Sequence, residues 1–156
     1  MKIKVITTAL AQTRADLLLV GCFQGEVAIA NSAAAVASAS GTQSYILLNQ
    51  ATAGAAARQA VAEGFKGDVG ETMVHFGDTS LGAPRVVLYG LGARGKASLV
   101  SFRKAIVAAL KRAKGLSAEH IAFAAIDCVA AAGCESYALG ECLASYAGMI
   151  DYVINH

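Results

Sequence analysis

The sequence predicts an α/β layered domain, and three observations carry that expectation. Short apolar strands alternate with helix-length segments along the chain, the joints between them are rich in glycine, and two late segments show a helical apolar stripe. No internal repeat or linker divides the 156 residues, so they are read as one domain, long enough to bury a core without staples.

The elements follow in order. Lys2 and Lys4 alternate with Ile3 and Val5, which reads as a strand over about Lys2 to Thr7 with one wet face. The same region imitates a secretory signal, but Thr7 and Thr8 interrupt an apolar stretch too short for a signal core. After a turn at Asp16, the unbroken run Leu17 to Phe23 reads as a strand covered on both faces. The Ala/Ser tract within residues 25–45 favours neither a weak helix nor an ordered loop. A single alanine-rich helix is expected over Ile46 to Glu63, interrupted at Gly54.

Gly64 to Gly70 form a turn, Glu71 to Phe76 a strand, Gly77 to Pro84 a loop, and Arg85 to Tyr89 another strand. The next helix has Ser98 as N-cap and Gly115 as its stop. Leu99, Phe102, Ile106, Leu110 and Ala113 fall on one side of it. His120 to Ile126 read as a fifth strand. A last helix from about Glu135 carries the stripe Leu139, Cys142, Leu143, Tyr146, Met149, Ile150 and Val153.

Composition narrows the function. The apolar fraction of 56% is largely alanine, and no run approaches the roughly 18 apolar residues of a spanning helix, so no membrane partner is expected. Cys22, Cys128, Cys134 and Cys142 form no C-x-x-C pair, which reads as reduced thiols in a cytoplasmic protein. The acidic residues show no ligand spacing, His75 lies in a strand, and no G-x-S-x-G presents a nucleophile. No catalytic or metal-binding residue is therefore assigned.

Two features bear on binding. Gly90, Gly92 and Gly95 match G-x-G-x-x-G after a strand, the pattern of a phosphate loop. The following helix begins only at Ser98, and no acidic residue ends the next strand, so a tight strand-exit turn explains the glycines as well. The second feature is the basic face of that helix, Arg103, Lys104, Lys111, Arg112 and Lys114, with Arg94 and Lys96 just before. It could meet a nucleic-acid backbone, but a solvated face accounts for it, because the net charge is only +2 and the last three suit a helix C-terminus.

Three stretches in series resemble the N-terminal domain of the leucyl aminopeptidases. They are Lys2 to Val5 with Asp16 to Phe23, then Glu63-Gly64-Phe65-Lys66-Gly67-Asp68-Val69-Gly70-Glu71-Thr72, and Arg85 to Gly92 followed by Phe102-Arg103-Lys104-Ala105. The alanine/serine-rich region 26–45 departs most. The resemblance implies a mixed sheet of about five to six strands between helices, similar to macrodomains. It implies a non-catalytic assembly or regulatory role beside a C-terminal metallopeptidase domain, within a homohexamer. The family's motifs N-T-D-A-E-G-R and V-G-K-G…F-D-x-G-G are absent here, so its two divalent ions, zinc or manganese, would sit in a domain beyond this chain. The alternatives are a free-standing macrodomain-like module for ADP-ribose or a related nucleotide and, behind it, an oxidoreductase using Gly90 to Gly95.

Overall fold

The computed structural model describes residues 8–29, 42–77 and 79–124. The expected first strand, Lys2 to Thr7, and the last helix from Glu135 lie outside these residues, as do the three later cysteines.

Four strands form one mixed sheet among the described residues: β1 (Leu17–Cys22), β2 (Thr72–Phe76), β3 (Arg85–Gly90) and β4 (Ile121–Phe123). Their order is β2-β3-β1-β4, with β1 parallel to both β3 and β4 and β2 antiparallel to β3. The described count is thus four where five to six were expected. The fifth strand is shorter than expected over its described part, running from Ile121 to Phe123, with the His120 carbonyl just before it accepting from the Asp16 and Leu17 N–H groups.

Helices cover both faces of the sheet. On one lies α4 (Leu99–Gly115), and on the other α2 (Gln43–Ala51) and α3 (Ala55–Ala62), with one turn of helix, α1 (Glu26–Ile29), after β1. The alternation of side chains along β1 and β3 divides the core in two. Leu17, Leu19, Val87 and Tyr89 pack against Phe102, Ile106 and Leu110 of α4. Leu18, Val20, Cys22, Val86 and Leu88 pack against Tyr45, Leu48 and the alanines of α3. Every residue of β1 is buried, as its unbroken apolar run predicts for a strand between two layers. Ala56, Ala57 and Ala60 are small enough to seat α3 close to the sheet.

The expected single helix over Ile46 to Glu63 is two. Ala53 and Gly54 both take left-handed backbone angles, which breaks the helical ladder and turns the chain between α2 and α3. The Thr52 hydroxyl donates to the Leu48 carbonyl at 2.9 Å, closing the end of α2. The first helix also starts earlier than expected, at Gln43.

Around α4 the expected cap is present. Ser98 Oγ accepts from the Ser101 N–H at 3.2 Å while the Ser98 N–H donates to Ser101 Oγ at 2.9 Å, a reciprocal cap worth about 1 kcal/mol. Leu99, assigned to the apolar stripe, is instead on the exposed side with Val100. It stands at the first position of the helix, ahead of Phe102, the first helix residue to be buried. Gly115 is the last helical residue, but the left-handed turn that ends the run falls at Ser117.

Candidate functional site

Because β1 and β3 are parallel, the loops that leave their carboxyl ends emerge from the same edge of the sheet. Ligands of α/β domains commonly bind at such an edge. Here the two loops and the turn before β2 are bonded to one another. Gly90 N–H donates to the Glu71 carbonyl at 2.9 Å, Leu91 N–H to Cys22 at 2.9 Å, and Gly92 N–H to Gly67 at 2.8 Å. The Gly92 carbonyl accepts from Gln24 N–H at 2.9 Å.

Two of the three motif glycines are close-approach positions. A Cβ on Gly90 would stand 2.0 Å from the Asp68 carbonyl oxygen, far inside van der Waals contact. Gly92 has φ +79, and a Cβ there would meet the Val69 side chain at 2.6 Å. Gly95, in the short 3-10 turn Arg94–Lys96, has open space around it. The backbone N–H groups of the first two glycines are thus engaged within the protein.

Two carboxylates complete the edge. Glu71 Oε2 accepts from three successive backbone N–H groups, those of Lys66 and Gly67 at 2.9 Å and of Asp68 at 3.1 Å. Such a concave run of amides is a general anion seat, and a side chain of the same chain fills it. Glu26 is buried. Its Oε2 accepts from the N–H groups of Phe23 and Thr42, each at 3.1 Å, and from the Thr42 hydroxyl at 2.8 Å. Its Oε1 pairs with Arg94 Nη2 at 2.5 Å, and the Arg94 guanidinium lies 4.5 Å over the Phe23 ring. Gln24 donates to Asp68 across the same edge. In the adjoining core, Tyr45 Oη is buried with no hydrogen-bond partner among the described residues, and burial, with Cys22 nearby, pushes its pKa up.

The Glu26–Arg94 pair spans 68 residues of sequence. Nothing local announces it: Arg94 reads as an outlier of the basic helix, and Glu26 opens the least legible tract of the chain. Arg103, Lys104, Lys111, Arg112 and Lys114 are all exposed on α4, with Arg112 and Lys114 in its last turn. Arg103 and Lys114 also make contacts of their own. His75 sits buried in β2 with Nδ1 2.6 Å from Gln59 Oε1. Among the described residues, no group of three or more His, Cys, Asp or Glu side chains could hold a metal ion, so the described donor set does not fit a metal pair. No described helix is long and apolar enough to cross a membrane.

A three-layer domain with its parallel strands opening on a glycine-lined edge belongs to the macrodomain-like class of folds. The comparisons agree with this. The macrodomain of Mycobacterium tuberculosis DarG superposes with a TM-score of 0.61 at 11% identity, covering 92% of this chain and 88% of that one. A mutant of tomato leucine aminopeptidase superposes with a TM-score of 0.63 at 21% identity, covering 94% of this chain. The chain spans about a quarter of that protein, 26% of its length. The model of the cytosol aminopeptidase family, N-terminal domain, matches residues 19–147. The chain therefore belongs to the cytosol aminopeptidase family, as its N-terminal domain. No curated protein matches it by sequence.

Proposed function

We propose that this chain is a non-catalytic assembly or regulatory domain, residues 1–156 forming one unit beside a metallopeptidase domain. The family match over residues 19–147 carries the reading. The edge of the sheet supports it, since Glu26, Glu71, Gly90 and Gly92 are bonded into loop-to-loop packing and hold the fold's own shape. The complete protein would be a cytoplasmic hydrolase that releases N-terminal amino acids from peptides, in a homohexamer, with two zinc or manganese ions in the C-terminal domain.

The test is hydrolysis of leucine p-nitroanilide, with sedimentation of the same samples. The 156-residue chain alone should show no turnover with added zinc or manganese. Joined to the metallopeptidase domain encoded with it, it should sediment as a hexamer and turn substrate over. Metal-dependent turnover by the pure chain alone would overturn the reading.

The likeness to a macrodomain favours one second reading, a module for ADP-ribose or a related nucleotide at Gly90 to Gly95. Calorimetric titration with ADP-ribose and NAD separates the two. Saturable heat that disappears in Gly95→Val would favour the nucleotide site, since Gly95 alone of the three has room for an approaching phosphate. A nucleic-acid contact through Arg103, Lys104, Lys111, Arg112 and Lys114 would be electrostatic, with a log-log salt slope near −4 to −5 for about five phosphates. A gel shift with these arginines and lysines changed to Glu decides that point.

A further inference from the structure

The opposite end of the parallel strands is built differently. Asp16 and His120 stand immediately before β1 and β4, whose parallel pairing brings them together. Asp16 Oδ2 accepts from the backbone N–H groups of Glu119 at 3.1 Å and His120 at 2.8 Å, which fixes the carboxylate. His120 Nδ1 stands 3.4 Å from the same oxygen. In the neutral ring the contact favours the tautomer that carries its hydrogen on Nδ1, with the Nε2 lone pair left over on a ring that is 79% exposed.

These two side chains line a cleft of about 360 Å³ with Arg14, Ala15 and Gly82. The rim that carries Arg14 is anchored. Gly82 N–H donates to the Ala11 carbonyl at 2.7 Å, and a Cβ on Gly82 would lie 2.6 Å from the Thr13 carbonyl oxygen. Arg85 braces the cleft from behind, donating to the carbonyls of Leu116 at 2.7 Å and Asp16 at 3.4 Å. Arg14 is exposed, and its guanidinium has no partner among the described residues. The same holds for Asp16 Oδ1 and His120 Nε2.

We infer that this cleft is a binding site for a protonated phosphoryl group, as inorganic phosphate or a phosphate monoester. The cleft offers one cationic fork of donors, on Arg14, and one standing acceptor, Asp16 Oδ1, while His120 Nε2 accepts from a neutral ring and donates from a protonated one. An anion with only lone pairs would satisfy Arg14 and face the Asp16 carboxylate without a hydrogen to give it. A phosphoryl group that keeps one P–O–H matches both halves: its unprotonated oxygens accept from the guanidinium, and its hydroxyl donates to the carboxylate. Sulfate has the same shape and no hydroxyl, so it isolates this feature.

The site is tested on the 156-residue chain at about pH 6, where a phosphate monoester keeps a large share of its hydroxyl. The readout is the His120 ring resonances during titration with inorganic phosphate, methyl phosphate and sulfate. Both phosphates should give saturable shifts in the millimolar range, with sulfate at least about tenfold weaker. Equal strength for the two phosphates means the ester oxygen faces solvent, and preference for inorganic phosphate means the free ion is the ligand; either supports the site. Arg14→Gln should weaken phosphate at least tenfold, and its circular dichroism should match the wild type, because the replaced group is exposed. Asp16→Asn, if it folds, should raise sulfate affinity toward that of phosphate. Should Asp16→Asn fail to fold, the preference for phosphate over sulfate in the wild type and the weaker phosphate binding of Arg14→Gln still decide the point. Phosphate and sulfate shifts of equal size, shifts unchanged in Arg14→Gln, or no saturation by about 20 mM phosphate would each overturn the inference.

Discussion

At the carboxyl end of β1, charged groups face inward and are answered by the protein. Glu71 occupies a seat of three amides, Glu26 takes four donors, and Gly90 and Gly92 let one loop press against another. At the amino end of the same strand, Asp16 is also held by two amides, but Arg14 and the far side of His120 face a cleft. The fold places both ends on one rigid strand, so the contrast lies in the loops. An anion seat that the chain itself fills serves stability, while the donors and acceptors at the other end, unpaired among the described residues, are those of the inferred binding site.

The largest expected effect that tests this contrast is at Gly90. Gly90→Ala forces a methyl into the Asp68 carbonyl, a backbone-to-backbone contact that no rotamer relieves, and should cost about 3 kcal/mol or more. Gly95→Ala, in open space two turns of sequence later, should change stability by less than about 0.5 kcal/mol. Urea unfolding of the two variants checks the pair. Equal losses would mean that the edge is not packed as described.

Next comes Arg94→Ala, which leaves Glu26 buried with its amide and hydroxyl partners but no cation. Because half of the Arg94 side chain is exposed, the loss should be modest, about 1–2 kcal/mol. Arg14→Ala at the other end should cost nothing measurable by the same method, since its guanidinium makes no contact among the described residues. A comparable loss there would break the distinction between a structural and a binding cation.

The smallest effect separates the two ends by pH. Asp16 is held below its ordinary pKa near 3.8, first by the His120 backbone N–H, then by the Glu119 N–H and the His120 ring, against desolvation. Its folded value lies below its unfolded one, so the stabilisation is fully present above the ordinary carboxylate range. It is lost as pH falls through the lowered value. The difference in thermal midpoint between wild type and Asp16→Asn should therefore hold steady from about pH 7 to 5 and narrow below about pH 4. A difference independent of pH would show that the carboxylate charge plays no part.

The features legible from the sequence were those written in neighbouring residues. An unbroken run from Leu17 announces a strand between two layers, Ser98 announces a capped helix, and Gly54 announces a break in one. What stayed hidden depends on distant partners. Glycine spacing alone cannot tell that Gly90 faces Asp68 rather than a phosphate, because both situations require the same missing side chain. Arg94 and Glu26 carry no shared local signal, and Asp16 and His120 are 104 residues apart. Leu99 fits the period of the α4 stripe, yet at the first position of the helix it lies ahead of the first buried residue, Phe102. Periodicity reports the face of a residue and not where the opposing layer ends.

The parallel pairing of β1 also sets a schedule for folding. β1 leaves the ribosome among the earliest elements, yet both of its sheet partners belong to the second half of the described chain. Until Val86 to Gly90 and then Ile121 to Phe123 are synthesised, its six apolar residues have no neighbour on either edge. Contacts closed over such distances slow folding and lengthen the time during which an apolar strand is exposed. The sheet around β1 is thus closed on both edges only when β4 arrives, late in the described chain.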